Sequence, residues 1–368
     1  MKNTLSAMPM KSMRNSLWFK IGMGCLLLAS RLVFAADVQS VGHIELEIPA
    51  LQSEASTSTK TITLDTYELS DKAQRGLEQR MRRRLTVEQM PRQFITKHAH
   101  LLPRSVQLGM GNVPVLDQGR HGACVIFAAT ASVDATLNRG KYISQLCLLQ
   151  LGRYFEKNTS WQSSGWDGLH SSQLVFDRMN QYGVISIENQ QHYGCGGVFA
   201  YPYEEDLPES DMPLATYLQY REMLPKNQIV WSSVWSGFWF DFTSDTVMKA
   251  KEALSKGNRL VVGTLLPRVY LGQAGASGKN HTFDDTWVLT PEIEQGISWF
   301  KKIPGHAMIV TGYDDKAVAV DRSGNLHRGL FTLRSSWGPR VGDAGDFYMS
   351  YDYFEMLVVE AMQIGLVK

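Results

Sequence analysis

Residues 115–131, VLDQGRHGACVIFAATA, constrain what this chain can fold into more than any other stretch. Gln118 and Gly119 make a polar turn, Gly122 and Ala123 leave the backbone uncrowded, and the small and apolar run from Val125 onward suits a buried helix. Cys124 then falls on the first turn of that helix, where free N–H groups and the positive end of the dipole favour a thiolate. A sulfur so placed is a candidate nucleophile at neutral pH. Gln118, six residues upstream, carries an amide that can fold back over the turn and share an oxyanion with the Cys124 N–H, the donor pair that acyl transfer through a thiolate requires.

Two later segments complete the pattern. His306 heads the apolar run GHAMIVTGY, which has strand character and ends in a turn, and residues 333–338, LRSSWG, follow another strand and lead into Gly342 and Gly345. With these in place the chain resembles the papain-like cysteine peptidases, as a divergent, bacterial-type member. Gln118 matches that family's oxyanion glutamine, Cys124 its nucleophile and His306 its base. The SSWG run resembles the family's Asn-Ser-Trp-Gly segment, so that Ser335 stands where an asparagine orients the base and Trp337 stands where a tryptophan shields that hydrogen bond. The resemblance implies an α+β, two-lobe fold over residues 102–368. A helical lobe, residues 102–228, carries the Cys helix, and a β-barrel-like lobe, residues 229–368, carries the histidine. It further implies a cleft wall at Asp167 and Gly168, where one glycine of the family's peptide-binding loop is kept. His121 replaces the family's first cysteine, and the loop cysteine that would pair with it is absent as well. That leaves His121 as a solvent-facing turn residue or as a group that touches substrate or tunes the thiolate.

The remaining sequence bounds compartment and partners. Thirty-seven basic against thirty-six acidic residues leave the chain nearly neutral, which gives no reason to expect nucleic acid or an anionic membrane as partner. Lys2, Lys11, Arg14 and Lys20 precede an apolar stretch at 21–28 and a small-residue site ending at Ala35, so residues 1–35 read as an export signal. No later stretch reaches the length of a membrane span. A secreted or periplasmic location follows, and with it permission for disulfides. Without the signal only Cys124, Cys147 and Cys195 remain, one thiol plus one pair available to a bridge. No metal or cofactor is expected, and the partner is a peptide or protein substrate.

Residues 36–101 differ in texture. Alternating runs at 43–47 and 61–64 are joined by a Ser/Thr-rich stretch, and residues 69–90 read as a helix whose arginines form a solvated face. Their place before a mature-like start at Leu102 suits a propeptide-like segment or a retained docking region. Within 102–368 the expected order is the Cys124 helix, a second helix at 143–154, a loop at 158–168, and a helix at 171–181 with Leu174, Val175 and Met179 inward. An aromatic-rich segment at 229–242, a flap-like insertion at 267–304 and a meander of strands at 308–311, 317–320 and 330–333 follow. Two other functions compete. One is a catalytically impaired papain-like protein that binds peptide or protein. The other is an acyltransferase or amidase with a Cys-His-Asp set, in which Asp321, fifteen residues after His306, is the acid.

The exported protein is expected to begin at Ala36; intact-mass measurement checks this, and a species that retains residues 1–35 refutes the cleavage site.

Overall fold

The computed structural model describes residues 38–53, 56–88, 102–160, 163–168, 171–236, 246–267, 275–277, 285–296, 299, 301–321 and 323–367. The export signal lies outside them, as do the second half of the aromatic segment and much of the flap-like insertion. In chain order the elements are β1 (Val38–Ser53), β2 (Ser56–Leu69), α1 (Asp71–Glu88), β3 (Ser105–Gln107), α2 (Cys124–Leu137), α3 (Gln145–Asn158), α4 (Ser172–Tyr182), α5 (Ile187–Tyr193) and α6 (Leu214–Tyr220). They continue with β4 (Ile229–Ser236), α7 (Thr246–Ser255), β5 (Arg259–Leu265), β6 (Gly275–Ser277), β7 (Thr286–Trp287), α8 (Pro291–Gly296), β8 (Lys302–Asp321), β9 (Leu326–Arg334), β10 (Asp346–Ser350), α9 (Tyr351–Leu357) and β11 (Val358–Leu366).

The fold is α+β with two lobes, and the division follows from the two faces of one sheet. β4, β11, β5 and β8 are joined antiparallel in that order, with Glu360 opposite Gly263 and Gly263 opposite Ala307. Side chains alternate between faces along each strand. Val261, Ala307, Ile309, Met362 and Ile364 point to one face and join the apolar cluster of α2, α3 and α4. Leu260, Val262, Met308, Val310 and Ala361 point to the other and join Leu254, Tyr353, Phe354 and Leu357 in the core of the β lobe.

The Cys124 helix, α2, is buried from Cys124 to Ala135. Its Ala128, Ala129, Ala131 and Ser132 are small enough for a helix to lie flat between the sheet face and α4. Asn138 ends it in the left-handed region at φ 53°, returning its N–H to the last carbonyls, as asparagine can with little strain. Beside it, Ser144 caps α3 through the Cys147 N–H, and a Cys147–Cys195 disulfide, Cα–Cα 4.9 Å, ties α3 to the loop after α5. Cys124 is free.

The structure alters several sequence expectations. The meander at 308–320 is one long strand: the polar residues Asp314, Asp315 and Lys316, which read as a turn, are taken up by a register shift against β9 between Asp314 and Val318. Leu174 is exposed, and Phe176 takes its place inward with Val175 and Met179. In the aromatic segment Trp235 is buried and Trp231 stacks on Phe176 at 5.5 Å.

Residues 38–88 are not an appendage. β1 and β2 form a hairpin in which Ile44, Leu46 and Ile48 lie opposite Leu64, Ile62 and Lys60. Ile48, Ile62 and Leu64, with Ala73, Leu77 and Met81 of α1, belong to the β-lobe core itself. β2 adds to the sheet by pairing Thr66, Tyr67 and Glu68 with Pro304, Ile303 and Lys302 of β8. Nor are all the arginines of α1 solvated: Arg80 donates to the carbonyls of Glu355 and Met356 at 3.2 Å, a cation at the C-terminal end of α9.

Because Leu77 is fully buried in a core shared with the β lobe, Leu77→Ala is expected to cost about 2–5 kcal/mol. Denaturant unfolding of the 36–368 chain, followed by tryptophan fluorescence, checks it. An unmoved midpoint would mean that the N-terminal unit folds apart from the lobe.

Candidate active site

α2 begins at Cys124 with no side-chain cap, Ala123 supplying none, so the first-turn N–H groups are left for the sulfur. The backbone N–H groups of Ala307, on β8 across the lobe boundary, and of Val125 and Cys124 in its own turn act on the Cys124 sulfur in favour of its charged form. Since Ala307 follows His306, the strand that docks on the helix also delivers the imidazole. His306 is buried, stacked on Trp337 at 4.3 Å between centroids and 23° between planes. Its Nε2 lies 3.0 Å from Ser335 Oγ, and its buried Nδ1 has no hydrogen-bond partner among the described residues.

Gln118 is wholly buried and its amide is held at both ends. Ser336 Oγ donates to Oε1 at 2.6 Å and Nε2 donates to the His121 carbonyl at 2.6 Å. These two contacts define which end of the amide is nitrogen and leave one N–H of Nε2 uncommitted. The Gln118 N–H donates to the Ser336 carbonyl at 2.8 Å, fastening the turn to the SSWG segment.

Three site expectations need correction. His121 does not face solvent. It is 7% exposed, with Nε2 2.6 Å from the Pro202 carbonyl and its ring edge-on to Trp166 and Tyr201. The cleft wall at Gly168 is not open to a ligand, because a Cβ there would sit 2.6 Å from Asp65 Oδ2 of the hairpin. Asp321 is remote from His306. They lie at opposite ends of β8, roughly 50 Å apart along a fully extended strand, and Asp321 accepts from the Ser323 and Asn325 N–H groups instead.

The hairpin lies across the site. Lys60 pairs with Asp117 beside Gln118, Glu45 with Arg120 at 2.9 Å, Asp65 packs on Gly168, and Tyr67 crosses Gly305, where a Cβ would meet its ring at 2.5 Å. Burial sets the protonation states. Burial pushes the Cys124 thiol up to about 11, with the Asp65 carboxylate adding in the same direction against the backbone N–H groups. Burial pushes His306 down to about 3. At neutral pH the covered pair is therefore thiol and neutral imidazole.

The sequence reading missed Ser336, Asp65 and Glu360. Ser336 was visible as the second serine of SSWG, but a serine carries no sign of its partner. Asp65 sits in a strand of correct alternation, and only the docking of that strand places it over Gly168. Glu360 was the readable one: a lone acid in VVEAMQIGL. It is buried opposite Gly263, accepts the Ser172 N–H at 2.6 Å, and has a carboxyl pKa raised by that burial.

No protein-family model and no curated protein matches the chain. Among solved structures it is similar to xylellain, a cysteine protease from Xylella fastidiosa, at 20% identity over 73% of this chain and 88% of that one, TM-score 0.47. It is also similar to digestive procathepsin L 3 of the Tenebrio molitor larval midgut, at 17% identity over 72% and 70%, TM-score 0.44. A third is the Amb a 11 cysteine protease of ragweed pollen in its proform, at 13% identity over 75% and 70%, TM-score 0.43.

With the thiol raised to about 11, alkylation of Cys124 in the intact chain is expected to rise about tenfold per pH unit from pH 7 to 10 without a plateau. Iodoacetamide labelling with peptide mapping checks this. A plateau below pH 8 would mean that the thiolate already exists in the covered state.

Proposed function

We propose that the chain is a papain-like cysteine peptidase that hydrolyses peptide bonds by thiolate acyl transfer, held latent by its own N-terminal hairpin. What supports this reading is Cys124 at an uncapped helix start, the backbone of Ala307, next to His306, acting on its sulfur, and Gln118 with one amide N–H outside the two hydrogen bonds that hold its side chain. On opening, water returns to the pair and both pKa values relax toward their ordinary ranges, so that the Cys124 proton passes to His306 Nδ1. The thiolate then attacks the substrate carbonyl, and the oxyanion takes the Gln118 Nε2–H and the Cys124 N–H. His306 protonates the leaving amine, and water, deprotonated by His306, releases the acyl group.

In this reading Ser335 accepts the Nε2–H and keeps Nδ1 free as the base, while Trp337 keeps water from that bond. A hydroxyl has less reach than an amide, but the 3.0 Å separation supports the same orienting role. Asp167 and Gly168 wall the cleft once Asp65 leaves. The segment 36–101 is the restraint and an intramolecular partner, an expectation supported by the position of Lys60, Glu45, Asp65 and Tyr67 over the site. The export signal supports a secreted or periplasmic enzyme.

Cys124→Ala is expected to abolish acylation by a peptide-based electrophile, and Gln118→Ala to slow turnover on the order of 10²-fold, the scale of one oxyanion donor. Loosening the hairpin from the β-lobe core, Ile62→Ala with Leu64→Ala, is expected to speed acylation of the full chain. Intact-mass labelling reads all three. A folded chain so loosened, with Cys124 reduced, that still fails to label would replace the peptidase reading with a binding role.

A further inference from the structure

Three loops converge beside the nucleophile without a covalent tie among the described residues: the turn at 117–121, the loop at 163–168 and the loop at 201–203. The one disulfide joins α3 to the loop at 194–198 instead. What joins these three is the His121 side chain. Its Nε2–H donates to the Pro202 carbonyl at 2.6 Å, fixing the third loop. Its ring edge meets Trp166 at 5.3 Å, fixing the second, and Trp166 in turn stacks on Tyr201 at 5.6 Å. Burial lowers the imidazole pKa, so the ring sits there neutral.

The consequence reaches Gln118 through the backbone of the same residue. The His121 carbonyl accepts the Gln118 Nε2–H at 2.6 Å, and the Tyr201 hydroxyl donates to the Gln118 carbonyl at 2.9 Å. Gly119 between them has φ 61°, and the Tyr203 carbonyl occupies the place a Cβ would need. The Arg120 N–H donates to that same carbonyl at 2.9 Å. The turn is thus pressed against the 201–203 loop from Gln118 to His121, and among the described residues the His121 ring is the side chain of the turn that meets both neighbouring loops.

We infer that His121 is a positioning residue for the oxyanion donor: by locking the 117–121 turn to Pro202 and Trp166, it holds its own carbonyl where that carbonyl aims the Gln118 amide. It acts through Gln118 and not on the thiol, and the role rests on the peptidase reading above. A polar side chain here does noncovalently what a cross-link between the turn and the 163–168 loop would do.

The test separates aiming the oxyanion donor from merely supporting the fold. Alkylation of Cys124 by iodoacetamide displaces iodide from carbon and develops no oxyanion, whereas amide hydrolysis does. His121→Ala is therefore expected to lower kcat for a peptide amide on the order of 10²-fold, with iodoacetamide alkylation at the parent's rate. His121→Gln, whose terminal N–H reaches as far as Nε2, is expected to recover part of kcat. A fall in both reactions together would reduce His121 to a structural role, and unchanged hydrolysis in His121→Ala would remove the role. No recovery in His121→Gln would overturn the assignment to the Pro202 bond. With the hairpin loosened as above in every variant, a parent that is alkylated at Cys124 yet hydrolyses no peptide ends the peptidase reading and this role with it. A parent that turns over peptide beside an equally active His121→Ala ends only the role.

Discussion

The contact between the Cys124 helix and the inner sheet face is what the rest of the structure depends on. α2 is buried on all sides from Cys124 to Ala135, so it cannot shift without opening the helical core on one side and the seam with Val261, Ala307 and Ile309 on the other. Fully burying one such Val or Ile is worth about 1.5–3 kcal/mol, more than any of the polar contacts at the site. The hydrogen bonds around Cys124 and His306 are therefore placed by apolar packing. The Ala307 backbone lies near the sulfur because Ala307 and Ile309 pack on the helix, while His306, one residue earlier, turns to the other face and stacks on Trp337.

The same ranking of magnitudes explains how the hairpin holds. Exposed ion pairs such as Glu45 with Arg120 are screened by water, contribute little, and cannot keep a strand over a cleft. Ile62, Leu64, Ala73 and Leu77, all but fully buried in the β-lobe core, can. The polar face of the hairpin then acts locally. Asp65 lies near Cys124 and raises its pKa, and desolvation moves a thiol upward and an imidazole downward, the reverse of what an ion pair needs. In the proposed peptidase, latency is then as much a matter of protonation as of access.

The site also shows how one covalent feature can be exchanged for several weaker ones. Two serines of SSWG serve two different partners, Ser335 the imidazole and Ser336 the Gln118 amide. His121, Trp166 and Tyr201 form a ring cluster at the position where both cysteines of the resembled family's bridge are absent. Each of these contacts is modest alone, about 0.5–1.5 kcal/mol for an aromatic pair, but they share the same three loops.

From its sequence alone this chain declared the helix start at Cys124, the strand of His306, the alternation of the hairpin and the Cys147–Cys195 pair, because each rests on local chemistry: a period, a turn residue, a count. It did not declare which face of a correct strand meets which neighbour. Asp65 and Leu64 are adjacent in one alternating run, yet one lies over Gly168 and the other in the β-lobe core. His121 read as a turn residue because nothing near it in sequence covers it; Trp166, Tyr201 and Pro202, more than forty positions downstream, do. Asp321 stood near His306 in sequence and is carried away by the rise of a single strand. Spacing along a chain determines what an element is, but burial and partners come from surfaces brought together by folding, and those only the tertiary structure decided.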